Sequence, residues 1–186
     1  MRPPGWSIAD TLLHMRNLVL SVIGDDRPGL VSALADAVAA QGGNWERSQL
    51  AQLAGKFAGI VVVAVAEDRA DGLIGAVTAL DGLLEVAVHA GDGGSPRTSQ
   101  WSSLTIDVLG NDRPGIVNEL SAALNASGVS IEKLTTGTRE APMAGGMLFE
   151  ARMEVRVPPS ADVATIRGDL ERIAEELFVE LGIEGE

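Results

Sequence analysis

Apolar positions along the chain switch between a strand period and a helix period in a fixed order, and then repeat that order. Leu18 to Ile23 is a β-rich run, after which Leu30, Val31, Leu34 and Val38 fall on one helical face within Gly29 to Gln41. Gly42-Gly43 stops that helix. Two extended runs, Trp45 to Leu53 and Phe57 to Ala66, flank Ala54-Gly55-Lys56, a connection short enough for a hairpin. Leu73, Ile74, Val77 and Leu80 predict a second helix, and Leu84 to Val88 a closing strand. The order is βαββαβ.

The same order returns as strand Leu104 to Leu109, helix Gly115 to Ser127, and strands Ser130 to Arg139 and Met147 to Val157. A last helix follows, with Val163, Ile166, Leu170, Ile173 and Leu177 spaced 3, 4, 3 and 4, and a short strand near Val179 to Ile183. The two copies align at a constant offset of 86 residues: Leu18 to Val31 matches Leu104 to Val117, and the register persists through Gly42 and Gly128, and Glu46 and Glu132. A period of that length is a duplicated domain, not a solenoid unit. Right-handed crossovers place both helices of such a unit on one face of a four-stranded antiparallel sheet. The expected fold is therefore α+β, two tandem ferredoxin-like βαββαβ domains. Residues 1–16 read as an N-terminal extension, 17–90 as the first domain, 91–101 as a small and polar linker, and 102–186 as the second domain.

The two copies differ in their central strands. Ile60 to Val65 is apolar on both sides, whereas Ala151 to Val157 alternates apolar with Arg152, Glu154 and Arg156. Alternation marks one wet face, and a continuous apolar run marks a strand covered on both. The helices cover one side only. The open face of the first sheet is thus expected to be buried by the segment carrying Trp6, Ile8, Leu12 and Leu13, by the second domain, or by another chain, a symmetric homodimer being a common solution.

Composition narrows the function. With 14 Lys+Arg against 26 Asp+Glu the net charge is −12, which opposes direct nucleic-acid binding and suits protein contact. An RNA-reading sheet needs aromatic platforms and positive charge, and the chain has no tyrosine and three phenylalanines. The absence of cysteine removes disulfides, thiolate nucleophiles and the usual zinc and iron–sulfur sites. No apolar run approaches the roughly 20 residues that span a bilayer. A cytoplasmic location is the default, with no membrane partner. The two histidines, His14 and His89, lack the partners that catalysis or metal binding requires. Glu171, Glu175, Glu176 and Glu180 read as a solvated helix face. No catalytic residue, metal or cofactor is expected.

Both copies join strand to helix through Gly-Asp/Asn-Asp-Arg-Pro-Gly, at Gly24 to Gly29 and Gly110 to Gly115. Helix geometry alone accounts for much of this: the glycine permits a tight exit, Asp26 or Asp112 can cap free amides, and Pro28 or Pro114 suits the first helical turn. The same start can hold a ligand. Unpaired amides and the helix dipole favour a carboxylate, and Asp25, Asp26, Asn111 or Asp112 can accept from an ammonium group.

On these residues the chain resembles the ACT domain, whose fold is βαββαβ and which binds amino acids at this loop, often across a domain–domain interface. Two such domains without an attached catalytic domain are similar to the glycine cleavage system transcriptional repressor family. The resemblance implies a ligand site at Asp25, Asp26, Arg27, Pro28 and Gly29 in one copy and Asn111, Asp112, Arg113, Pro114 and Gly115 in the other. Family ligands also meet the residue opening the second strand, which is Asn44 in the first copy and Ser130 in the second. The expected function is non-catalytic regulation by a small amino acid, glycine among the candidates, acting through a protein partner in transcriptional control of amino-acid metabolism. A separate regulatory subunit of an amino-acid metabolic enzyme, or a dimerisation module without ligand, is the alternative.

Overall fold

A computed structural model describes residues 15–91, 101–142 and 145–185. The chain divides into two compact units between Ser95 and Pro96. The segment with Trp6, Ile8, Leu12, Leu13 and His14, and most of the expected linker, lie outside the described residues.

In the first unit, β1 (Met15–Asp25), β2 (Asn44–Leu53), β3 (Lys56–Ala66) and β4 (Glu85–Ala90) form an antiparallel sheet in the order β2-β3-β1-β4. Helices α1 (Leu30–Ala40) and α2 (Ala70–Thr78) connect β1 to β2 and β3 to β4. Met15 and Arg16, assigned by sequence to the extension, pair with Ala66 and Val65 as the first residues of β1. The second unit repeats the arrangement with β5 (Ser102–Asn111), α3 (Ile116–Ala126), β6 (Ser130–Glu140), β7 (Met147–Val157), α4 (Val163–Leu177) and β8 (Val179–Gly185), ordered β6-β7-β5-β8.

Alternation selects one face of each sheet for its helices. Leu18, Leu20 and Val22 of β1 and Val61, Val63 and Val65 of β3 join Leu30, Leu34 and Val38 of α1 and Leu73 and Val77 of α2 in one buried cluster. The second cluster is built from the matching positions, including Leu104, Ile106 and Val108, Met153 and Val155, and Leu120 and Leu170. Among the described residues the buried set contains no polar or charged side chain, so apolar burial is the main favourable contribution to each core.

Periodicity overstates α2. Leu80 packs against the first core from the turn after Thr78, because the chain closes there through Leu83 N–H to Leu80 O and a left-handed Gly82. The α1 and α3 ends follow expectation, with Gly42 at φ +70 and Gly128 at φ +69 as left-handed stops. The repeated Glu46 and Glu132 acquire a physical meaning: each sits at a β-bulge, between Trp45 and Arg47 and between Ile131 and Lys133.

Candidate functional site

The expectation that aspartate caps these helices is not met. The N-caps of α1 and α3 are Gly29 (φ 95, ψ −3) and Gly115 (φ 99, ψ −12), with no side-chain cap, and Asp26 and Asp112 lie three residues earlier. Pro28 and Pro114 occupy the turn before the helix, not its first turn. The reason is conformational: side-chain capping uses an extended N-cap, and a left-handed glycine replaces it. The first amides of α1 and α3 therefore receive no partner from their caps.

Both loops are anchored alike. The Asp26 amide donates to Gly55 O at 2.9 Å, just before β3, and the Asp112 amide to Met147 O at 2.8 Å, at the first residue of β7, tying each loop to the start of the third strand of its unit. Gly24 and Gly110 are required by close approach: a Cβ at Gly24 would stand 2.7 Å from Leu83 O, and one at Gly110 2.4 Å from Val179 Cγ1.

The side chains differ between the copies. In the first, Lys56 Nζ pairs with Asp25 Oδ1, and Arg27 Nη2 donates to Gly82 O at 2.8 Å. The Lys56 hydrogen bond and charge hold the Asp25 carboxyl below the usual carboxylate range, and the Asp25 hydrogen bond and charge push the Lys56 ammonium up. In the second, Leu148 pairs with Asn111 where Lys56 pairs with Asp25, and Arg113 is bound by Glu119 through two hydrogen bonds of 3.1 Å. A shallow cleft of about 510 Å³ beside this loop is lined by Asp112, Arg113, Gly115, Val117, Ser121 and Phe149, among others.

Within a unit, Asn44 and Ser130 are not brought to these loops. Asp25 lies opposite Lys56 and Asn44 opposite Ala64, eight residues along β3, a separation of about 26 Å at roughly 3.3 Å per residue. Asn111 and Ser130 are eight residues apart along β7 in the same way, opposite Leu148 and Arg156.

Lys56 and Glu119 were missed by sequence reasoning. The signal for Lys56 was its rarity, as one of two lysines opening a strand that pairs with the motif; for Glu119 it was an acid in the first helical turn after an arginine. His89 contacts Ser21 Oγ at 3.4 Å on the sheet, opposite Val19 of β1 and away from the loop of its own unit. Among the described residues no cluster of three metal-ligating side chains occurs, and no helix is long and apolar enough to cross a membrane.

Two βαββαβ units, each with a glycine-started helix behind an acidic or amide-bearing strand end, define a tandem module of the ferredoxin-like type. The ACT domain family matches residues 16–90 and again 99–175, and the chain belongs to that family. It is 26% identical over 175 residues to the glycine cleavage system transcriptional repressor of Escherichia coli (strain K12), spanning 90% of this chain and 88% of the relative. A crystal structure of a protein of unknown function from Galdieria sulphuraria superposes with a TM-score of 0.82 at 28% identity, covering 92% of this chain and 99% of that one. A second, assigned provisionally to the same repressor family, shares the fold with a TM-score of 0.70 at 15% identity, over 92% and 98% of the two chains. Family and relative together support a small-molecule-binding, regulatory role.

Proposed function

We propose that the chain is a stand-alone, non-catalytic sensor of a small amino acid that acts through a protein partner in the control of amino-acid metabolism. The observation that carries this reading is the twofold occurrence of a helix whose N-cap is a left-handed glycine, three residues after Asp26 of Asp25-Asp26 or Asp112 of Asn111-Asp112. The amides of the first helical turn suit the ligand carboxylate. The Asp25 carboxylate, or the Asn111 and Asp112 side chains, suit its ammonium group. The Escherichia coli relative is named for glycine cleavage, which makes glycine the first ligand to try. Asn44 lies about 26 Å from Asp25 along the strand, at roughly 3.3 Å per residue, so the proposed loop site of its unit is built without it. The acidic balance, −12 overall, favours a protein contact over an operator contact.

A melting-temperature screen of the full chain against the common amino acids tests the proposal, because a ligand of the folded state stabilises by mass action. A rise confined to one or a few small amino acids supports it. No response to any amino acid favours the dimerisation module without ligand, and specific co-purification with a biosynthetic enzyme favours the separate regulatory subunit.

A further inference from the structure

The side of the first sheet away from its helices is ordered in three rows, read across β2, β3, β1 and β4. They are Arg47-Val62-Val19-His89, then Gln49-Ile60-Ser21-Ala87, then Ala51-Ala58-Ile23-Glu85. Apart from Ser21, its two central strands are apolar in these rows, and its charges sit on the edge strands. Ile60 is 52% exposed and Ile23 46%, whereas Ala64, at the end where β1 begins, is 5% exposed. The small side chains of Ala58 and Ala87 leave a shallow depression between the isoleucines. The equivalent face of the second sheet is different in kind. Glu150, Arg152, Glu154 and Arg156 stand where Ala58, Ile60, Val62 and Ala64 stand in the first, and pair with Arg139, Asp107, Lys133 and Glu132. That face satisfies its own charges and suits water.

We infer that the open face of the first sheet is the surface by which two copies of this chain associate, sheet against sheet. A twofold axis perpendicular to the strands, along the middle row, lays the first row of one copy on the third row of the other. Val62 then meets the small Ala58 of the partner subunit, Val19 meets the partner subunit's Ile23, and Glu85 meets the partner subunit's His89. Arg47 falls on the uncharged Ala51 of the partner subunit, and Ile60 on the axis meets the partner subunit's Ile60. The area is adequate. Four strands about 4.8 Å apart and about eight residues long at roughly 3.3 Å each present about 500 Å² per copy, or about 1,000 Å² in all, near the lower bound for a specific interface.

Sedimentation velocity of the full chain over a wide dilution series tests this. The expected result is a monomer–dimer equilibrium that Ile60→Lys and Ile23→Lys each weaken about tenfold or more, because a charge is left unpaired in an apolar contact. Thr135→Lys, on the corresponding face of the second sheet, should leave it unchanged. Both isoleucines are exposed, so unaltered circular dichroism verifies folding. As a second readout, Ala87→Cys, in a chain without cysteine, should link to its own copy across the axis with a short thiol-reactive crosslinker. A chain monomeric at all concentrations overturns the inference, as does a dimer indifferent to both lysines. So does association that appears only when residues 1–14 are removed, which would assign the face to the chain's own amino-terminal segment.

Discussion

Replacing Gly29 with alanine adds one methyl group at a backbone of φ +95, where the new Cβ would meet nothing within 4 Å. The cost is therefore conformational and free of packing. An L-residue held in the left-handed region loses about 1–2 kcal/mol, partly offset in the unfolded chain by the reduced freedom of alanine relative to glycine. A net loss of about 1 kcal/mol is expected, roughly a fivefold change in the opening equilibrium. Gly115→Ala should behave alike at φ +99, because the atoms near its new Cβ, Glu119 Oε1 at 3.2 Å and Arg113 Nη1 at 3.8 Å, end flexible side chains. Gly110→Ala is the contrast. Its Cβ would stand 2.4 Å from Val179 Cγ1 and 2.9 Å from Val179 Cα, so the start of β8 must move, at the overpacking cost of about 1–3 kcal/mol. Hydrogen exchange read by mass spectrometry resolves the units separately, through the slow amides of α1 for Gly29→Ala and of α3 and β8 for the other two. Full protection in Gly29→Ala would refute the left-handed helix start, and with it the reason the first amides lack a side-chain cap.

Three further outcomes are expected. Asp162 caps α4 by accepting from the amides of Ala164 and Thr165 and from the Thr165 hydroxyl, which lower its pKa. Asp162→Ala should therefore lower the melting temperature at neutral pH, and the difference from the parent should shrink as pH falls through the depressed carboxylate value, since that contribution exists only while the carboxylate is ionised. Lys56→Ala should raise the Asp25 pKa toward the ordinary carboxylate value in a carbon-detected NMR titration, and an unmoved midpoint would remove Lys56 as the cause. Fluorescence anisotropy at physiological salt should show negligible affinity for random duplex DNA, and tight salt-sensitive binding would contradict the charge argument.

The elements were legible because their periods are local. The 3, 4, 3, 4 spacing from Val163 to Leu177 coincides with α4, and Met147 to Val157 is a strand over its whole length. The repeat carried the topology, since one well-marked copy interprets the other. Leu80 misled the reading of α2 because an apolar residue in a turn can fill a helical face without helical backbone. At the candidate site the glycines and prolines revealed a helix start, but the caps were misassigned to aspartate. A left-handed N-cap is set by backbone angles that a Pro-Gly pair permits without specifying. The Asp25–Lys56 pair depends on sheet register between residues far apart in sequence, and the distance of Asn44 from the loop follows from strand direction. Neither can be seen until the topology is fixed.

The central claim, that these loops bind a small amino acid, is tested most directly by calorimetric titration of the full chain with glycine, alanine and serine, on the parent and on Asp25→Ala and Asn111→Ala. Saturable binding of at least one of them, weakened about tenfold by at least one substitution through loss of a charge-assisted or neutral hydrogen bond, is the predicted result. No heat from any of the three, or an affinity unchanged in both variants, would contradict the claim.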